Sequence, residues 1–259
     1  MRIRIGLLSF IIVFLIGCSN TPESISNDTV ILTATEAEFS TIDSAMHYEI
    51  ELTYPVIDAN ITPERLNRIN NTIAEKFYTF SDQKNFIESH QNLPEHFYEA
   101  ESEWFGELKN TYSITQCDSI LNISFTFYHY YLGAAHGYTS NESLKFNTSN
   151  GDLMPITDFF KSDSTSLLKI RNTINAHLPD SICWGIENDS ATLSSLANFI
   201  FTNDKIIFKF DDYAICPYAI GITNIAFDKS DFKEVMKLST SQNCVEIAAV
   251  QDEGEIATH

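Results

Sequence analysis

Basic residues are scarce in this sequence. Lys and Arg number 16 against 35 Asp and Glu, which leaves the 259-residue chain at −19. So negative a surface repels a phosphate backbone, and a nucleic-acid role is excluded. Glycine and proline are also few, nine and seven, so neither a collagen-like nor a low-complexity chain fits. The one conspicuous apolar stretch, residues 5–16, falls short of the roughly 20 residues that cross a bilayer. GxGxxG, GxxxxGK(S/T), HExxH and GxSxG are all missing, so nucleotide, zincin and serine-acyl chemistry have no anchor. No cysteine pair has CxxC spacing, which removes zinc ribbons and thioredoxin-like motifs. What the chain does have is 44% hydrophobic and 12% aromatic residues, enough for one large core or two small ones.

The first eighteen residues read as an export signal. Arg2 and Arg4 form a positive start, residues 5–16 an apolar centre, and Leu15-Ile16-Gly17-Cys18 a lipobox-like end. Cleavage before Cys18 would lipidate that cysteine and remove two of the 16 basic residues, taking the charge from −19 to −21. Ser19 follows Cys18, which favours an outer-membrane lipoprotein facing the periplasm or the surface. Export also means an oxidising compartment. With Cys18 assigned to lipid, Cys117, Cys183, Cys216 and Cys244 remain for disulfides, in any of three pairings. Five Asp-(Ser/Thr)-aliphatic triplets make Thr29, Ser44, Ser119, Ser181 and Ser190 candidate O-glycosylation sites; composition predicts about one by chance.

Periodicity predicts an α+β fold, antiparallel sheets with amphipathic helices packed on one side. A strand over 46–54 ends at Pro55, and Leu66, Ile69, Ile73, Phe77 and Phe80 place a helix over 63–80, with Thr62 as its N-cap. A second, aromatic helix is expected over 94–109. Strands follow at 111–117, 119–131 and 138–148, with a turn at Asn150-Gly151. In the second half, a helical turn over 154–160 and a helix over 165–178 precede a hairpin at 199–210, a strand at 220–227 and a helix from Asp228 to about 238. The expected organisation is a signal peptide (1–17), a tether (18–29), an N-terminal α+β segment (30–150), a C-terminal α+β segment (151–238) and a flexible tail (239–259).

Chemistry-bearing residues cluster in His129-Tyr130-Tyr131-Leu132-Gly133-Ala134-Ala135-His136-Gly137. Two His seven apart offer a general base or two metal ligands, but no third ligand stands at fixed spacing, so no metal or cofactor is expected. Asp211-Asp212 beside Tyr213 offers an acid pair, with a solvated hairpin end as the simpler reading.

The run Asn203-Asp204-Lys205-Ile206-Ile207-Phe208-Lys209-Phe210, followed by Tyr213-Ala214-Ile215-Cys216-Pro217-Tyr218-Ala219-Ile220-Gly221, resembles the signature of the RsiV-type extracellular domain family. Gly133-Ala134-Ala135-His136-Gly137 is similar to that family's Gly-Gly-Ala-His-Gly turn, with Ala134 in place of a glycine. Asn147 to Leu153 and Asp158-Phe159-Phe160 also match. The resemblance spans roughly residues 30–238. It implies paired segments seen in a lysozyme-binding anti-sigma factor and beside a peptidoglycan deacetylase. The implied role is recognition at the cell wall without catalysis in this chain. Tyr130, Tyr131, His136, Tyr138, Tyr213 and Tyr218 are the candidate binding residues. Expected partners are the membrane, through the lipid, and a lysozyme-like protein or peptidoglycan fragment. The alternatives are a wall hydrolase using His136 with a nearby carboxylate, and a purely structural envelope lipoprotein.

Overall fold

The computed structural model describes residues 30–94, 105–179, 182–186, 196–221, 223–238 and 243–250. Cys18, Thr29, Ser181 and Ser190 lie outside them, as does most of the expected 94–109 helix.

The longer sheet runs β11-β1-β2-β3-β4-β5-β6, with β10 also on β3. Its strands are β1 (Leu32–Asp43), β2 (Tyr48–Ala59), β3 (Gly106–Cys117), β4 (Ile120–Tyr130), β5 (Tyr138–Asn147), β6 (Asp152–Leu153), β10 (Cys244–Ile247) and β11 (Ala249–Val250). A three-stranded antiparallel sheet holds β7 (Phe199–Phe201), β8 (Lys205–Phe210) and β9 (Thr223–Asp228). The α+β reading holds, and the pairing is mostly antiparallel. Among the described residues no helix is long and apolar enough to cross a membrane.

Helix α1 (Pro63–Phe80) forms where the apolar spacing placed it. Pro63 opens it, and Ile69, Ile73 and Phe77 are buried on its sheet side. Thr62 is its N-cap, but the side chain makes no capping bond; the Thr62 carbonyl accepts from Arg65 and Leu66 instead. Helix α2 (Gln83–Gln91) follows after Asp82, which takes a left-handed φ of 51°. It buries Phe86 and His90. Both helices pack on one face of the long sheet, against Ile50, Leu52, Leu108, Ile123, Phe125 and Phe127. The buried His90 ring accepts from the Leu132 amide at Nε2 (3.3 Å) and places Nδ1 2.8 Å from the Phe86 carbonyl. Gly106 is required beside it, because a Cβ there would lie 1.9 Å from His90 Nε2.

The second core is rich in phenylalanine. Phe159, Phe160, Phe199, Phe201, Phe208, Phe227 and Phe232 are all buried in it, with Cys117 and Ile120 from the long sheet. Helices α3 (Ile156–Phe159) and α4 (Ser164–Asn175) supply one wall. Asp163 caps α4, accepting from the Ser166 amide at 3.0 Å.

Several expectations need correction. Residues 106–109 are the start of β3, not helix, and pair in parallel with 48–51 of β2. β2 does not stop at Pro55. Its odd residues face the open side beyond Glu51, where Asn110 pairs with the backbone of Thr53 and Asn70 with that of Ile57. The missing N–H of Pro55 falls between those two amide clips, so it costs the β1 ladder nothing. β1 was not expected at all, and pairs with β2 along twelve residues. The helix after Asp228 is a single 3₁₀ turn, Lys229–Phe232, with a complete capping box. Part of the expected tail is ordered: β10 pairs with β3 and β11 with β1, so this segment bridges the two strands.

Candidate functional site

The turn after β4 and the loop after β8 meet at the surface. His136 stacks on Tyr218 with ring centroids 3.8 Å apart, and Tyr218 stacks on Tyr213 at 5.7 Å. Tyr213 Oη lies 3.1 Å from His136 Nε2, and His136 Nδ1 lies 2.8 Å from the Gly137 carbonyl. Both imidazole nitrogens are therefore engaged, neither by a carboxylate. Tyr128 sits behind this group, so close to Gly137 that a Cβ there would lie 2.3 Å from its ring. That contact fixes Gly137 as the residue on which the turn can pass the ring.

The loop carrying Tyr213 and Tyr218 is held from three sides. Cys216 is bonded to Cys183, and Gly185 donates to the Ile215 carbonyl at 3.0 Å. Trp184 Nε1 donates to the Ala214 carbonyl at 3.3 Å. Beneath, Asp211 and Asp212 anchor the loop to the edge of β5. Asp212 accepts from the Thr139 amide at 2.7 Å and Asp211 from the Asn141 amide at 2.6 Å. The two carboxylates thus occupy the place of a neighbouring strand, which is a structural use for the suspected acid pair. Burial holds the Asp211 carboxyl above its ordinary range, against the bonds from Asn141 and Tyr138. Tyr213 itself has a left-handed φ of 64°, a conformation that the surrounding clamps must sustain. It is nevertheless 50% exposed, and Trp184 49%.

The expected binding residues divide into two groups. His136, Tyr213 and Tyr218 come together as one platform. Tyr138 is exposed and pairs with His129 across the strands, ring centroids 6.2 Å apart, with its hydroxyl 3.5 Å from Asp211. Burial, then the charge of Asp211, pushes the Tyr138 phenol up to about 12. Tyr130 is half-buried on the face of β4 that carries Tyr128. Tyr131 turns the other way and packs on Phe86 and His90 in the first core, so it is not part of the platform. His129 also leaves the cluster: it is buried, its ring 6.4 Å from that of Tyr131. Trp184 was missed because its own segment carries no periodic signal, although the Cys183 beside it marked the region. Ser44 and Ser119, two of the glycosylation candidates, are exposed in the β1–β2 and β3–β4 turns. Among the described residues no group of three His, Cys, Asp or Glu is placed to hold a metal.

A second polar site lies at the edge of β5, in a cleft of about 240 Å³ lined by Glu142, Ser143 and Lys145. Burial, reinforced by the charge of Asp211, raises the Glu142 carboxyl to about 7. Lys145 is 3% exposed, and burial lowers its amine to about 7. No sequence motif marked either residue.

Comparison with known proteins matches two consecutive parts of the chain. Residues 43–139 match the family described as Deacetylase PdaC, and residues 157–230 match Protein of unknown function (DUF3298). No curated protein matches the chain. Among solved structures it is similar to a DUF3298 family protein from Pseudomonas aeruginosa PAO1, with a TM-score of 0.52 at 10% identity, covering 82% of this chain and 96% of that one. It is also similar to a DUF3298 family member from Bacteroides fragilis NCTC 9343, with a TM-score of 0.51 at 14% identity, covering 81% and 94%. Such identities speak for the fold alone. Residues 43–139 are thus PdaC-like and residues 157–230 DUF3298-like, on a fold similar to that of these two DUF3298 proteins.

Proposed function

We propose that the protein is an envelope-anchored binding module that recognises a cell-wall-associated ligand, with a lysozyme-like protein as the first choice. The observation that carries this reading is the His136–Tyr218–Tyr213 stack, solvent-facing and clamped by the Cys183–Cys216 disulfide. Rigid aromatic side chains with polar tips are the commonest anchors of protein interfaces, because they bury large area at small entropic cost. Lysozymes are commonly basic, and a mature charge of −21 steers a basic partner towards the surface. Two disulfides among the described residues fit an oxidising compartment, and the PdaC match fits a cell-wall setting. The stacked rings also favour a second ligand, a peptidoglycan fragment, whose sugar faces pack on aromatic planes. The platform binds rather than turns over: both nitrogens of His136 are committed to Gly137 and Tyr213.

The test is a titration of a soluble form beginning after Cys18 with a basic lysozyme, at low salt and at about 0.15 M, where the Debye length is near 8 Å. Measurable affinity is expected at both. Tyr213→Ala and Tyr218→Ala should each weaken it roughly tenfold or more, in the range of an interface anchor. Binding that disappears at about 0.15 M salt means charge attraction only, and moves the wall-glycan ligand ahead. His136→Ala should change affinity, with no peptidoglycan-hydrolysing activity present to lose.

The anchor has its own test. Cys18→Ala is expected to release the protein from the membrane fraction or to block signal processing, since lipid chains supply the attachment. Normal processing with unchanged membrane retention refutes the lipid anchor.

A further inference from the structure

The Glu142–Lys145 cleft is separate from the platform and has a chemistry of its own. Ser143 and Lys145 form its polar floor, and Phe80, Leu153, Pro155 and Ile156 its apolar wall. Lys145 Nζ lies 2.8 Å from Ser143 Oγ, 3.1 Å from the Ala197 carbonyl and 3.9 Å from the centre of the Phe199 ring. These three neighbours satisfy the amine in both protonation states. As an ammonium it donates to Ser143 Oγ, to the Ala197 carbonyl and towards the ring. The Ser143 hydroxyl donates to the Ala197 carbonyl at 3.2 Å, with the Phe199 carbonyl at 3.5 Å; a neutral amine keeps two donors, for the carbonyl and the ring, and offers that hydroxyl its lone pair instead. Among the described residues no carboxylate is a hydrogen-bonding partner of it. Burial lowers the amine to about 7, against the charge of Glu142, so the neutral form that a general base needs is present near pH 7.

The strand supplies a further group. Thr139 and Asn141 point their N–H groups outward from β5, to Asp212 and Asp211. The two-residue alternation of an antiparallel strand turns the Ser143 N–H to the same open edge. A nucleophile's own amide on the cleft side is a donor for a developing oxyanion.

We propose that Ser143 is an acyl-accepting nucleophile with Lys145 as its general base, acting on carboxylic esters with an apolar acyl chain. Ser143 Oγ attacks the ester carbonyl carbon while its proton passes to Lys145 Nζ. The tetrahedral adduct collapses, the C–O bond to the alcohol breaks, and the alcohol leaves with the proton held by Lys145. Water then attacks the acyl-serine, gives its proton to Lys145, and releases the carboxylic acid as Ser143 recovers its proton. The apolar wall of the cleft sets the acyl preference.

The test uses an alkyl fluorophosphonate on the full chain, with the adduct located by peptide mass spectrometry. The serine oxygen bonds to phosphorus and fluoride leaves, so the first step is trapped. The expected result is an adduct on Ser143 whose rate of formation rises with pH through about 7 and then levels, following Lys145 deprotonation. Lys145→Met should slow labelling at least tenfold and remove the inflexion, because a positioned base contributes about 10²-fold or more. Ser143→Ala serves as the mapping control. No adduct on Ser143 in the wild-type chain at pH 8 overturns the proposal, whatever the variants do. So does labelling of equal rate and pH profile in a folded Lys145→Met protein.

Discussion

Lys145→Met is expected to raise the melting temperature at pH 7 by several degrees, an unusual direction for a core substitution. The amine is lowered from 10.5 to about 7 by burial. Between those two values the unfolded chain holds a proton that the native state has released, so stability rises with pH across that window. Below about pH 7 the native state carries the full cost of a buried ammonium. Glu142 runs the other way: raised from 4.5 to about 7, its carboxyl makes stability fall as pH rises between those values. The pair therefore produces a stability minimum near pH 7. Met fills the volume without the charge, and removal of a buried charge in favour of an apolar side chain commonly gains about 1–4 kcal/mol. The lost bonds to Ser143 and Ala197 offset roughly 1 kcal/mol each, which leaves a net gain of up to about 2 kcal/mol at pH 7. Melting curves from pH 5 to 10 check this. The variant should lose the rise above pH 7, and its advantage should vanish by about pH 10. A wild-type profile flat from pH 7 to 10 would falsify the account of Lys145 as a burial-depressed amine.

Removing the Cys117–Cys244 disulfide is expected to cost about 2–5 kcal/mol, the largest loss predicted for this protein. The bond closes a separation of 127 residues, against 33 for Cys183–Cys216. On the chain-entropy view a loop of that size restrains the unfolded state by roughly 5 kcal/mol. The native consequence is local. Cys117 and Cys244 are also register partners, so without the bond β10 is held to β3 by a four-residue ladder alone. The double variant Cys117→Ala/Cys244→Ala, which leaves no unpaired thiol, should show faster amide exchange at residues 114–117 and 34–35. Those are the strand segments that β10 and β11 cover. The platform is tied by the other disulfide and should keep the affinity proposed for it. Unchanged stability in denaturant, with unchanged exchange at residues 114–117, would show that the β10 ladder holds without the covalent bond.

Helix α1 and the β4–β5 region were legible in the sequence because each repeats its apolar residues at the period of the element: Ile69, Ile73 and Phe77 on the helix, and Leu121, Ile123, Phe125 and Phe127 on the strand. The hairpin of β7 and β8 was legible for the same reason, with Asn203-Asp204 between two phenylalanine-rich runs. β1 was not, since Thr, Glu and Ala fill it and half of its residues are exposed; its order comes from twelve residues of pairing with β2. β10 has four residues and no pattern, and it exists because β3 offers an open edge and Cys117 a bond.

The site divides in the same way. His136, Tyr213 and Tyr218 could be named from their motifs, which are local. That Tyr131 and His129 leave them depends on strand parity and on which face the second sheet covers. The roles of Asp211, Asp212 and Lys145 were beyond local reading altogether. An Asp pair looks identical in solvent and when capping a strand edge, and a lysine in an alternating strand looks solvated until another sheet lands on it. Composition and local period are properties of the chain and carry the fold class and the single elements. Burial, and with it the protonation and partners of each polar group, belongs to the contact between segments far apart in sequence, and only the tertiary structure decided it.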